Sequence, residues 1–394
     1  MVGYTLPPLV LAHVRGSMID HPFPAVHDAF AELTDPRVDR TKDHLLLDIV
    51  TIALCAVICG ADSWVGIEEF GLSKQAWLKT FLALPNGIPS HDTFGRVFAA
   101  LDATQFQQGF LSWVRAIWPS TAGEVVALDG KTLRGSHDRG IGKDAIHLVS
   151  AWASQSRLVL AQRKVDTKSN EITAIPEVLR LLDLGGCTVT IDAMGCQSAI
   201  AKQIVQQGAK YVLAVKENQE QLHSDVTDTF GYVETDDWQD VAHEHHRSIT
   251  GDHGRIEQRD FWLLKEREYL EYLNAKGTWA GLSAIGMVVS ERRVRGTITE
   301  ERRYYIVGGE VGVEEFADAV RQHWGIENQV HWVLDVVFRE DRSRVRTGNA
   351  PQNLAVLRHI ALNLLRHAPG MGSISTKRFR AALNHDYLLQ VLRS

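Results

Sequence analysis

At 394 residues the chain has room for two or three compact units and a sizeable core. Its 45% hydrophobic and 23% charged content is that of an ordinary folded protein and excludes a disordered or fibrous one. The net charge of −6 does not by itself announce a nucleic-acid binder. The most apolar stretch, Leu45 to Cys59, contains Asp48 and is too short to span a bilayer. Met1 to Leu11 lacks the basic start and sustained apolar run of a signal peptide. Cys55, Cys59, Cys187 and Cys196 show no C-x-x-C pair, so they read as reduced, buried thiols of a cytoplasmic protein.

In chain order, residues 1–22 carry Pro7, Pro8 and Pro22 without periodicity and read as a loose arm. Residues 23–120 read as a helical domain. Leu45, Leu46, Ile49, Val50, Ile52, Ala53, Ala56 and Val57 predict a buried helix. Ser90 is the expected N-cap of a later helix whose apolar face is Phe94, Val97, Phe98 and Leu101. A short helix, a turn and a capped second helix fit a DNA-reading helix-turn-helix, and fit an ordinary packing unit equally well.

From Glu124 the period changes. Val125–Asp129, Ala145–Ala153 and Arg157–Val165 read as strands, and Thr173–Leu182 as a helix closed by Gly185-Gly186. Cys187–Asp192 is a strand, Ser198–Gln207 a helix stopped by Gly208, and Tyr211–Val215 a fifth strand. If the strands ending in Asp129 and Asp192 are parallel neighbours, their carboxylates meet at the edge where open α/β sheets bind ligands. Residues 216–310 interrupt this order. Their first part is polar, and Gln258–Leu264, Ser283–Ser290 and Arg302–Val307 then resemble strands, so the interruption reads as a mostly β insertion. A helix from Val320 to Arg339 carries Glu327, with Trp324 and Trp332 expected to pack it on the sheet. From Arg342 to Ser394 nine basic residues face one acidic residue, a local charge of +8 that leaves −14 on the remainder. Residues 366–394 read as a basic tail. Such charge fits a phosphate-backbone partner or a solvated surface.

A carboxylate at the end of a buried strand is costly to place. Asp129, Asp192 and Glu327 together suggest a site holding divalent cations for phosphoryl transfer, with Asp129 bridging two ions. Taken singly, each is more simply a turn or surface residue. His323, Glu327, His331 and Asp335 recur every four residues along one helix face. That stripe admits a zinc reading, which would leave Asp129 and Asp192 without a role. His331 and Asn328 read better as contacts to DNA phosphate or as residues orienting the carboxylate. His243, His245, His246 and His253 read as a polar surface rather than a metal cluster. Trp262 is a candidate to stack on a displaced base.

The segments Leu128-Asp129-Gly130-Lys131-Thr132-Leu133-Arg134-Gly135-Ser136, Thr190-Ile191-Asp192-Ala193-Met194-Gly195-Cys196-Gln197, Val215-Lys216-Glu217-Asn218-Gln219 and His323-Trp324-Gly325-Ile326-Glu327-Asn328 resemble those of ISAs1-type insertion-sequence transposases. That group includes the H-repeat-associated proteins and lies within the wider IS4-like DDE transposases. The resemblance runs over about 26–365. It implies an α/β catalytic domain over 121–365 with an RNase H-like, mixed five-stranded sheet, flanking helices and the β insertion before the last catalytic helix. It also implies a DNA transposase acting on double-stranded DNA, at transposon ends and target. Expected with it are catalytic and metal-binding Asp129, Asp192 and Glu327, Mg²⁺ with Mn²⁺ as a substitute, and a homodimer in the synaptic complex. The setting would be a bacterial cytoplasm, associated with the nucleoid, with no membrane partner. The chain departs from the wider group around the helix glutamate. Val320, His323 and Leu334 stand where Tyr, Arg and Lys are usual. Phosphate contacts are therefore sought at Lys131, Arg134, Lys216, Arg321, His323, Asn328, His331, Arg342, Arg344 and Arg346. A catalytically silent DNA-binding relic and a nuclease without strand transfer are the alternatives.

Overall fold

The computed structural model describes residues 24–117, 122–137, 144–165, 171–252, 255–294 and 297–394. The expected arm 1–22 and His253 lie outside them. Five helices come first: α1 (Pro24–Phe30), α2 (Leu46–Cys59), α3 (Trp64–Leu78), α4 (His91–Ala100) and α5 (Ala103–Ile117). Twelve of the fourteen residues of α2 are buried, because its sequence is apolar all round and must be enclosed on every side. Helix α2 ends at Gly60, whose φ of 113° closes it in the left-handed region. Ser90 caps α4 by accepting from the Thr93 amide, and Phe94, Val97 and Phe98 are buried, as the sequence predicts. Among the described residues, no single helix is long and apolar enough to cross a membrane.

The sheet begins with β1 (Val125–Leu133), β2 (Ile146–Ala153) and β3 (Leu158–Lys164), followed by α6 (Glu171–Arg180), β4 (Thr188–Ile191), α7 (Ser198–Gln206) and β5 (Lys210–Val215). Strands β1, β4 and β5 are parallel neighbours. The insertion then supplies α8 (Glu220–Thr235), β6 (His243–Asp252), β7 (Arg255–Leu264), α9 (Arg267–Leu273), β8 (Leu282–Val294) and β9 (Thr297–Gly308). Helix α8 was not expected. The polar residues of this stretch mask its buried stripe of Leu222, Val226, Phe230 and Val233.

The five-stranded expectation needs correction: the sheet has nine strands in the order β3-β2-β1-β4-β5-β9-β8-β7-β6. The insertion is no separate unit, because β9 pairs antiparallel with β5 from Tyr211↔Gly308 to Val215↔Tyr304. This covers what would be an open strand edge on β5. The junction is tight. A Cβ on Gly308 would lie 2.1 Å from the buried Tyr211 ring. Gly308→Ala is expected to cost about 1–3 kcal/mol by displacing that ring, read as a lower denaturation midpoint in urea.

Helix α10 (Val313–Gly325) crosses one face, packing Phe316, Ala317, Ala319 and Val320 against Val125, Val212, Phe261 and Tyr305. It runs into a π-helical turn over Ile326–His331 and then α11 (Trp332–Val336). The helix expected to start at Val320 therefore starts seven residues earlier and is not uniform. The chain ends in α12 (Ala350–His367), α13 (Ile374–Leu383) and α14 (His385–Leu392).

Helices α12 and α13 pack on α2, so residues 366–394, read as a tail, are part of the core. Their basic residues are used internally. Lys377 donates to the carbonyls of Leu365 and Ala368 at 3.0 and 2.7 Å, and Arg378 donates to that of Val57 at 2.9 Å. Lys377 satisfies carbonyls at the C-terminal end of α12, and Arg378 adds a charged donor to a carbonyl at the end of α2 that also accepts from the Gly60 amide. The four cysteines form no disulfide. Burial pushes the Cys59 and Cys196 thiols up to about 12 and raises that of Cys55 well above its ordinary value. Iodoacetamide at pH 8 is accordingly expected to leave these three unmodified in the folded chain and to label them after denaturation, as mass spectrometry would read.

Candidate active site

Asp129 does not end its strand. β1 continues to Leu133 along β2, while the parallel pairing with β4 stops at Leu128↔Ile191. Asp129 and Asp192 thus stand side by side where two parallel strands part. Residue alternation turns both toward α10, since Thr190, two before Asp192, meets His323 at 3.0 Å. The π turn carries Glu327 and His331 to the same place. Asp129, Glu327 and His331 each offer a ligand atom within 4.8 Å of one another. A cleft of about 220 Å³ is lined by Asp129, Asp192, Glu327, Lys216, Arg303 and His323, among others.

Three converging carboxylates repel. Burial, then Glu327 and more weakly Asp192, push Asp129 up to about 8, although the Gly130 amide donates to its Oδ1 at 2.8 Å. Burial also raises Asp192, with Glu171 adding to it, against the Gly195 and Met194 amides and Lys216. Glu327 is held low by the His331 imidazole beside it, 3.7 Å from its Oε2. Burial pushes His323 down to about 4, so its imidazole is neutral at physiological pH. An excess of acidic oxygens at the mouth of parallel strands is the donor set that suits a hard divalent cation.

The other expected contacts divide. Lys216 is exposed at the cleft, and Arg321 and Asn328 line an adjoining groove of about 560 Å³. Lys131 is turned inward: its ammonium lies 2.7 Å from Asp335 and 2.9 Å from Glu340, and its side chain is 9% exposed. The expected phosphate contact of Lys131 is therefore replaced by this ion cluster, into which its place in β1 points it. Arg134 is exposed, 3.6 Å from Asp341. Arg342 and Arg344 are exposed, and Arg346 donates to the Gly135 carbonyl at 3.2 Å. Arg344 and Arg346 line a second groove with His91 and Arg96 of α4.

The expectation for Trp324 and Trp332 is reversed, since both are about half exposed. Arg303 lies over the Trp324 ring at 5.0 Å. Trp262 instead stacks between Trp238 and His245 at 4.2 and 4.0 Å and is not presented to a base. His245 also pairs with Asp260 at 2.8 Å. Among the described residues no metal-ligating group forms around His243, His245 and His246.

Sequence reading passed over Arg259, Arg292 and Arg303. The three line the groove beside Arg321, brought onto one face of the insertion by its strand register. Also missed were His147 and Glu171, hydrogen-bonded at 2.6 Å and crowding Gly130, where a Cβ would meet both. Alternation in the insertion strands was the available signal for the arginines. The 2.6 Å pair spans 24 residues and leaves none.

Residues 120–364 match the family described as Transposase DDE domain, and residues 27–114 the DDE_Tnp_1-associated family. The chain is 40% identical over 371 residues to YncI, a candidate transposase of Escherichia coli O157:H7, covering 93% of this chain and 94% of that one. It is 39% identical over 365 residues to YhhI, an H repeat-associated candidate transposase of Escherichia coli K12, covering 91% and 95%. A solved piggyBac transposase, described in a synaptic complex with hairpin DNA, aligns at a TM-score of 0.41 and 10% identity over 94% of this chain and 78% of that one. Two family matches spanning both halves of the chain and near full-length relatives lead to one statement: the chain belongs to the DDE transposases of insertion sequences.

Proposed function

We propose that this transposase cuts DNA at the terminal inverted repeats of its element and joins the resulting 3′-hydroxyl to target DNA, using Asp129, Asp192 and Glu327 to hold divalent cations. The observation that carries this reading is the meeting of three carboxylates, from β1, the end of β4 and the π turn, in one cleft. When bound, such ions activate water or a 3′-hydroxyl and stabilise the leaving oxygen. Asp129, the most enclosed of the three, would hold the ions together with Asp192 and Glu327. Lys216 and Arg321 provide positive charge along the cleft and its adjoining groove for a phosphodiester backbone, where Arg303 is paired with Glu301 at 2.7 and 2.9 Å. Arg344 and Arg346 with α4 offer a second contact line, for duplex lying further from the cut. Joining two ends calls for two chains, so a homodimer on DNA is part of the proposal, in a bacterial cytoplasm at the nucleoid.

The test is purified chain with a labelled duplex carrying the element's end, a supercoiled target and Mg²⁺ or Mn²⁺. Nicking at the end followed by joined product is expected. Nicking without joining would favour a nuclease, and binding with neither would favour a silent relic.

A further inference from the structure

We propose that His331 is itself a cation ligand, through Nδ1, and that it makes this site prefer Mn²⁺ to Mg²⁺. The inference rests on the metal-dependent reading above and goes beyond its three carboxylates. Nδ1 of His331 faces Asp129 Oδ2 at 3.4 Å and Glu327 Oε2 at 3.7 Å, both longer than an ordinary hydrogen bond. At bond lengths of about 2.1 Å, neighbouring ligands of an octahedral ion stand about 3.0 Å apart and opposite ones about 4.2 Å. The spacing of the three donors, all within 4.8 Å, is near what one ion would span.

The ring is also built into its place rather than draped over it. His331 is 5% exposed, and its buried Nε2 has no hydrogen-bond partner among the described residues. Burial holds the imidazole in place with Nδ1 directed at the two carboxylates. The π turn matters here. Residues four apart in an α-helix drift by about 40° per step, and the wider i→i+5 turn winds less per residue and rotates His331 back toward Glu327. Oxygen donors alone suit Mg²⁺, whereas an imidazole nitrogen among oxygens favours the softer Mn²⁺. His323, the other imidazole at the cleft, is engaged through Nδ1 with Thr190 Oγ1.

The full-length chain, without DNA, is titrated with Mn²⁺ while the electron paramagnetic resonance signal of the aqueous ion is followed, and Mg²⁺ is then added as competitor. Pulsed measurements read whether bound Mn²⁺ couples to a nitrogen. Expected are nitrogen coupling in the wild type and in His323→Asn, and displacement only by a tenfold or greater excess of Mg²⁺. In His331→Asn, which offers an oxygen in place of Nδ1, coupling and preference should both be lost. If that variant does not fold by circular dichroism, coupling in the wild type and its survival in His323→Asn decide the matter. Bound Mn²⁺ without nitrogen coupling, or coupling lost in His323→Asn instead, overturns the role of His331 and leaves the carboxylate site standing. Absence of Mn²⁺ binding, or binding unaltered by Asp129→Asn, overturns both.

Discussion

Asp129→Asn is expected to lower strand cleavage by about 10³-fold or more while binding of end DNA changes little. The substitution keeps the shape and removes the charge of the most enclosed carboxylate. Loss of cation stabilisation in the transition state is worth several kcal/mol, and each 1.36 kcal/mol is about a factor of ten in rate. Asp192→Asn and Glu327→Gln should act in the same direction. Gel assays of nicking beside mobility-shift binding separate chemistry from recognition. Full cleavage by any one variant would remove that residue from the site. A pH dependence accompanies this. Asp129 is pushed up to about 8, so cation uptake must displace a proton held there at neutral pH. At a sub-saturating cation concentration, cleavage should therefore rise between about pH 6 and 8, and saturating cation should flatten the rise.

The second large effect falls on stability. Glu340 is buried between Lys131 at 2.9 Å and Arg358 at 3.3 Å, and Asp335 pairs with the same lysine. Breaking a buried pair on one side strands the opposite charge and costs about 3–5 kcal/mol. Glu340→Gln is thus expected to lower the urea midpoint strongly, more than any surface ion-pair variant such as Arg267→Ala. Burial raises the Glu340 carboxyl, but the pull of Lys131, Arg358 and His359 more than offsets it and leaves it low. A depressed carboxyl stabilises above its unfolded value and loses that contribution as pH falls through the folded one. Acid sensitivity below about pH 4 should therefore weaken in Glu340→Gln. An unchanged midpoint would mean that the cluster contributes nothing net.

Because Lys131 is two residues from Asp129, this cluster also explains why the site was only partly legible. Asp129 and Asp192 could be placed together from element order alone, since β-β-β-α-β-α-β carries its own adjacency and each aspartate follows a short β-branched, largely apolar run. Glu327 was found through the helix pattern, and the four-residue stripe from His323 to Asp335 was the trace of the π turn, misread as regular helix. What could not be read were partners fixed by tertiary register: Lys131 with Glu340, His147 with Glu171, and β5 with β9. Each pairs residues whose separation carries no periodic signal. The basic C-terminal segment misled for a related reason. Charge counts cannot distinguish a phosphate-binding arginine from Arg378, which serves carbonyls at the end of α2.

The placement of α2 has a consequence for how the protein comes into being. This helix leaves the ribosome early, yet it is sealed by α12 and α13, some three hundred residues further on. At about 5–20 residues per second of synthesis, its greasy surface would wait roughly 15–60 s for cover. A nascent chain this exposed invites chaperone capture. A copy of the gene cut short by a stop codon before α12 would yield an aggregating fragment, not a stable competitor for the element's ends.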